Sequence, residues 1–173
     1  MTAVHHLTAR RGGDDPVGGG RDGFVHGRGA TDGFAGIVSG SRVLTLDGEF
    51  PVDYLATGDR LITRDGGVAV LSGVRNRTVE ETLIVLAPGC LGPQRPRSRT
   101  ILTGGQPVLM REDGGPGEVV AAASLLGREG VRALERRKAT LFHLGLPRPC
   151  ILYCDGLELP VPGPQSARST GGS

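Results

Sequence analysis

With 173 residues and a mass of 18.0 kDa the chain has room for one domain whose core folds without metal or disulfide staples, and a second domain is not expected. Its 20 basic and 18 acidic residues give a net charge of +2, which argues against a dedicated nucleic-acid binder, so no nucleic-acid partner is expected. Aromatic residues make up only 3% and tryptophan is absent, while glycine occurs 30 times and proline 12 times, so the core must come from Val, Leu, Ile and Ala between many turns.

Residues 1–34 are rich in Gly, Asp and Arg without helical or strand periodicity, and are expected to be a disordered tail. Its charges cancel, with Arg10, Arg11, Arg21 and Arg28 set against Asp14, Asp15, Asp22 and Asp32, so it is no basic arm for DNA or lipid. His5, His6 and His26 are scattered through it in no metal-ligand spacing, and no metal is expected. Gly12-Gly13 and Gly18-Gly19-Gly20 neither follow a strand nor precede a lysine and a helix, so no phosphate loop and no cofactor are expected.

From residue 35 to 159 short β-branched runs alternate with turn dipeptides, the pattern of an all-β domain. Arg42 to Leu46 runs into Asp47-Gly48, a hairpin signal, and returns through Phe50 to Val52. Gly58-Asp59 precedes a strand from Arg60 to Arg64, Asp65-Gly66-Gly67 turns into a run from Val68 to Asn76, and Val79 to Ala87 ends at Pro88-Gly89. Further strands are expected at Arg99 to Leu102, Pro107 to Arg111, Leu141 to Leu146 and Ile151 to Cys154, with one helical turn at Ala121 to Leu126. Many short strands without a long amphipathic helix point to an antiparallel barrel or sandwich-like fold. Residues 160–173 are polar and turn-forming and read as a second disordered tail.

Cys90, Cys150 and Cys154 are an odd number and do not form the dense framework of a small secreted disulfide protein. In a strand, Cys150 and Cys154 stand roughly 13 Å apart on one face, too far to bridge, so buried thiols are expected. No signal peptide and no apolar run of membrane-spanning length is visible. A cytoplasmic address is the default expectation, with non-classical export left open.

Five segments carry a family resemblance. GIVSGSRVLTLDG, Gly36 to Gly48, is similar to the motif C-F-x-x-G-T-x-V-L-T-x-D-G that opens Hint (Hedgehog/intein) domains, except at its first residue. PVDYLATGDRLIT, Pro51 to Thr63, resembles the family's V-E-x-L-x-x-G-D-x-V-x-T segment, and TGGQPVL, Thr103 to Leu109, resembles T-x-x-H-P-V-L. LFHL, Leu141 to Leu144, followed by CILYCDGL, Cys150 to Leu157, is similar to the ending V-Y-D-L and H-x-F-x-A-N-G-L. Matches in this order over residues 36–159 are far more specific than any one alone. The resemblance, to bacterial Hint-domain-containing proteins, implies an all-β disk of antiparallel strands with two pseudo-twofold β subdomains.

It also implies a chemistry, which these residues lack. In active members a Cys or Ser at the first position attacks the preceding carbonyl, an N-to-S or N-to-O acyl shift, while the T-x-x-H histidine polarises that bond and protonates the leaving nitrogen. The nucleophile position falls on Gly36, which has no side chain, and the histidine falls on Gln106, whose amide donates a hydrogen bond but exchanges no proton near neutrality. Thr103 is retained, the aspartate of V-Y-D-L becomes His143, the late histidine becomes Cys150, and the terminal His-Asn dipeptide becomes Pro160-Val161. The expectation is a degenerate Hint domain without self-splicing, acting as a structural or interaction module for an unidentified protein partner.

The alternative is autoprocessing near Ala35-Gly36 by Ser39, Ser41 or a cysteine in a shifted register. The ordinary role of both serines is in the turn before a strand. His143 beside Cys150 or Cys154 would make a nucleophile and base, although a lone histidine on an apolar strand is more often a hydrogen-bonded core or edge residue. As a zinc site the same trio lacks a fourth ligand. Arg95-Pro96-Arg97-Ser98-Arg99 and the later Arg128, Arg132, Arg136, Arg137 and Lys138 form basic stretches that suit a polyanion, but without aromatic platforms they read first as solvated surface.

Overall fold

The computed structural model describes residues 36–111 and 115–164. The expected tail over residues 1–34 lies outside the described residues, as does most of that over 160–173. Twelve strands and two short 3-10 turns account for the regular structure among the described residues, and there is no α-helix.

After β1 (Ile37–Val38) the alternation Arg42 out, Val43 in, Thr45 in makes β2 (Arg42–Thr45), which turns back as β3 (Gly48–Pro51). Thr45 pairs with Gly48, so Leu46 and Asp47 form the loop, one step ahead of the expected Asp47-Gly48. The Thr45 hydroxyl fixes it by donating to Gly48 O at 2.8 Å and accepting the Asp47 N–H at 3.1 Å. A 3-10 turn at Val52–Tyr54 then drops Val52 into the core.

β4 (Arg60–Thr63) and β5 (Gly67–Val70) form the next hairpin. The strand expected to continue to Asn76 breaks at Leu71 and Ser72 instead. Leu71 N–H is held by Asp59 O and Ser72 N–H by Gly145 O, so the chain passes from one sheet to another there, with the Leu71 side chain buried at the crossing. β6 (Gly73–Leu86) follows without a break, and β7 (Thr100–Thr103), β8 (Pro107–Met110) and β9 (Glu118–Ala121) lead into the 3-10 turn Ala122–Leu125, where a helical turn was expected. β10 (Val131–Gly145), β11 (Cys150–Cys154) and β12 (Leu157–Val161) complete the fold.

The strands form a four-stranded sheet in the order β1-β10-β6-β7, a six-stranded sheet β12-β11-β2-β4-β5 with β3 on β2, and the β8-β9 pair, and all the pairings are antiparallel. Val43, Leu61, Leu86, Leu102, Leu141, Leu144, Leu152 and Leu159, none more than 2% exposed, are the heart of the buried apolar set. This is the aliphatic core that the composition demanded. β6 and β10 pair from Leu86 with Val131 to Gly73 with Gly145, interrupted by a bulge between Leu134 and Arg137. Mid-ribbon, Arg75 to Thr78 and Glu135 to Lys138 are all exposed, and opposite charges face each other at Glu80 with Lys138 and Glu81 with Arg137.

The β11-β12 turn shows why Asp155-Gly156 is needed. Both residues have positive φ, 51° and 82°, the geometry of a type I′ hairpin. A Cβ on Gly156 would also lie 2.7 Å from Gln94 O.

Candidate functional site

The fold brings the two ends of the described core together. β1 pairs with β10, Ile37 opposite Phe142, which sets Gly36 against the strand that carries His143. β12 continues through Pro160 and Val161, two residues past the expected last folded position. These segments and Gln106, which follows β7 and precedes β8, line one cavity: Gly36, Ile37, Gln106, Phe142, His143, Leu144, Pro160, Val161 and Pro162. Its volume is about 10 Å³, roughly the space one water occupies.

Gly36 is buried. Gln106 is 2% exposed, with its backbone N–H on Thr103 O at 3.1 Å and its Nε2 donating to Pro107 O, also at 3.1 Å. Thr103 is equally buried, opposite Leu83 on β6. It supports the Gln106 turn through its carbonyl and does not line the cavity. His143 is half-buried and stands opposite Arg75.

The other candidates lie elsewhere. Ser39 is exposed and its hydroxyl donates to Asp53 Oδ1 at 2.5 Å, while Gly40 N–H donates to Oδ2 at 2.7 Å. Partial burial raises the Asp53 carboxyl, but these bonds outweigh it and hold the group below its ordinary range. Ser41 is buried and faces Cys154, with its backbone bonded to Val38 and Val52. Neither serine lines the cavity.

The three cysteines are free thiols. Burial pushes Cys150 up to about 11, helped by Asp65 and opposed by Arg148, so the thiol is protonated near neutrality. Burial drives Cys154 well above the ordinary value, and Asp155 adds to it. Cys90 is raised by burial, against hydrogen bonds from Ala87 and its own backbone. None of these thiols lines the cavity, and no metal-binding group of His, Cys, Asp and Glu occurs among the described residues.

A match to a family model decides the relationship: residues 35–159 match the model described as Hint domain. The chain belongs to the Hint domain family. Solved structures of inteins and intein-like domains share this fold, two of them as follows. A bacterial intein-like domain from Clostridium thermocellum superposes with a TM-score of 0.56 at 15% identity, covering 75% of this chain and 99% of that one. The AceL NrdHF class 3 split intein, in a splice-inactive variant, superposes with a TM-score of 0.52 at 8% identity, with the same coverage of 75% and 99%. Comparison with curated proteins gave no match. The all-β, antiparallel Hint fold expected from those motifs is therefore the fold observed. Among the cavity residues, Ile37, Phe142, Leu144 and Pro162 were not anticipated. The apolar alternation of Leu141 to Leu146 was the one signal that could have placed Phe142 and Leu144 near His143.

Proposed function

We propose that this Hint domain does not cleave itself and serves as a structural or interaction module that keeps the scaffold of self-processing without its reaction. The observation that carries this reading is the shared cavity of Gly36 and Gln106. The two positions that correspond to nucleophile and proton donor face one space, and the residues there supply a hydrogen atom and a carboxamide. Acyl transfer needs an electron pair from a thiolate or hydroxyl and a proton for the departing nitrogen, and neither group provides one.

The surroundings support the same reading. Cys150 is a protonated thiol outside the cavity, Ser39 is engaged by Asp53, and Ser41 faces Cys154 in the core. Pro160 and Val161, which the sequence resemblance aligns with the family's terminal dipeptide, line the same cavity, and neither side chain carries an amide.

The experiment is the intact mass of the purified chain, incubated with and without dithiothreitol or hydroxylamine. A single species of full mass under all conditions is expected. A fragment beginning near residue 36, or one released only by the added nucleophile, overturns the reading in favour of autoprocessing by Ser39, Ser41 or a cysteine.

A further inference from the structure

A second cavity shares no residue with the first. It has a volume of about 400 Å³ and is walled by Val85, Ala87, Pro88 and Val131, with Arg99 and Arg132 among its lining residues. Strand register explains the arrangement. On the four-stranded sheet Val85 lies between Arg132 of β10 and Ile101 of β7, so these three side chains project from the same face. Arg99, which immediately precedes β7, lines the cavity together with Val85 and Arg132. Two guanidinium groups thus flank an apolar floor.

Both arginines are exposed, and among the described residues neither guanidinium has an ion pair or a side-chain hydrogen bond. The neighbours of Arg99 in the same basic stretch differ: Arg95 pairs with Glu158 and Arg97 with Glu49. Glu129, beside Gly130 in sequence, is not a lining residue. The stretch Arg95 to Arg99 is therefore no uniform basic loop. Two of its cations are neutralised within the fold and the third is left at a cavity.

We infer that this cavity is a binding site for a small carboxylate with an apolar body, such as a medium-chain acyl or aryl acid. The volume suits a small molecule, and the apolar lining offers its body a partly shielded contact surface. A guanidinium is weakly hydrated and presents paired donors that match the two oxygens of a carboxylate. The site has no aromatic side chain on which a base could stack, which disfavours a nucleotide. The inference is independent of whether the domain cleaves itself.

The test titrates octanoate into the full chain, reading amide chemical shifts and binding heat, with octanol and acetate as controls. Octanoate is expected to bind saturably and at least tenfold more tightly than either control, because only it uses both the floor and the arginines. Arg99→Gln and Arg132→Gln should each weaken octanoate by about tenfold, the scale of one charge-assisted hydrogen bond, and leave octanol unchanged. Both positions are exposed, so the variants should keep the parent melting temperature. Equal binding of octanoate and octanol, or unchanged octanoate affinity in both folded variants, overturns the assignment. So does a leucine-terminated hexapeptide that binds more tightly than octanoate, since the occupant would then be a polypeptide end.

Discussion

Gln106 lines the same small cavity as Gly36, and its amide nitrogen is engaged with Pro107 O at 3.1 Å. On the proposed correspondence, a histidine at position 106 and a cysteine at position 36 would share that cavity. Restoring both groups should restore chemistry. Gly36→Cys with Gln106→His is expected to release a fragment beginning at residue 36 when dithiothreitol is added. Gly36→Cys alone should cleave more slowly by roughly 10²–10⁴, the contribution of a general acid. Electrophoresis and intact mass over time measure both rates. A double variant that is folded by circular dichroism and inert to thiol would show that the two positions are not the reacting pair.

How much of this was legible in the sequence depended on what each residue does. Asp155-Gly156 and Gly58 announced turns because backbone geometry requires residues that tolerate positive φ, and the structure has them there. The outer half of β10 went unread because Arg132 to Lys138 alternates no apolar face. It is a strand by virtue of its thirteen-pair ladder to β6, with Arg136 at φ 44° marking a bulge that no local pattern encodes. Gly36, Gln106, His143 and Pro160 were singled out through family motifs alone, and their convergence on one cavity came only with β1 pairing to β10. The Glu158 cluster left no signal, and Arg99 and Arg132 were legible only as members of two separate basic stretches, since the residues that meet are far apart in the chain and only tertiary structure gathers them.

Asp155 shows a turn residue held against its own charge. It is buried, and burial raises its carboxyl above the ordinary value despite the Arg42 N–H at 3.1 Å and the Thr100 hydroxyl beside it. A raised carboxyl favours the folded state in acid, and this contribution is lost as the pH rises through the folded value. Asp155→Asn keeps an acceptor for Arg42, tolerates positive φ and removes the buried charge. It should melt higher than the parent at pH 7, with the advantage shrinking as the pH falls toward 3. Asp155→Ala loses the acceptor and should cost about 1–3 kcal/mol. Thermal melts from pH 3 to 7 decide this, and an Asn variant less stable at pH 7 would refute it.

Cys150 makes the alkaline limb predictable. Its thiol titrates at about 11 in the fold against an ordinary 9.0, with burial as the main cause. Below pH 9 it is protonated in both folded and unfolded chains, so its stabilising contribution is fully present. Between pH 9 and 11 the unfolded thiol ionises first and the contribution drains away, a loss of about 2 kcal/mol by pH 11. Urea unfolding at pH 8 and pH 11 should show that loss, and Cys150→Ala should show correspondingly less. Cys154 acts in the same sense, so some alkaline loss should persist in the variant. An identical pH profile with and without Cys150 would contradict the assignment.

Glu158 is the hinge of the charged cluster on β12. Arg64 Nε lies 3.1 Å from its Oε1, while Arg95 Nη2 and Arg111 Nε lie 3.5 and 3.6 Å from Oε2. Its side chain is 14% exposed against 27–34% for the three arginines, so the carboxylate is the least exposed member of a cluster with surplus positive charge. Removing one arginine leaves Glu158 two others and should cost at most about 1 kcal/mol. Glu158→Gln leaves three converging guanidiniums without a counter-charge and should cost about 2–4 kcal/mol, below the upper range for a fully buried pair because the arginines reach solvent. High salt should recover part of that loss in the Gln variant by screening the repulsion, and should change the arginine variants little. Urea unfolding of Glu158→Gln, Arg64→Gln and Arg111→Gln in 0.1 and 1 M sodium chloride measures the asymmetry. Equal costs for all three, or a Glu158→Gln loss that salt does not reduce, would mean that packing rather than charge holds β12 in place.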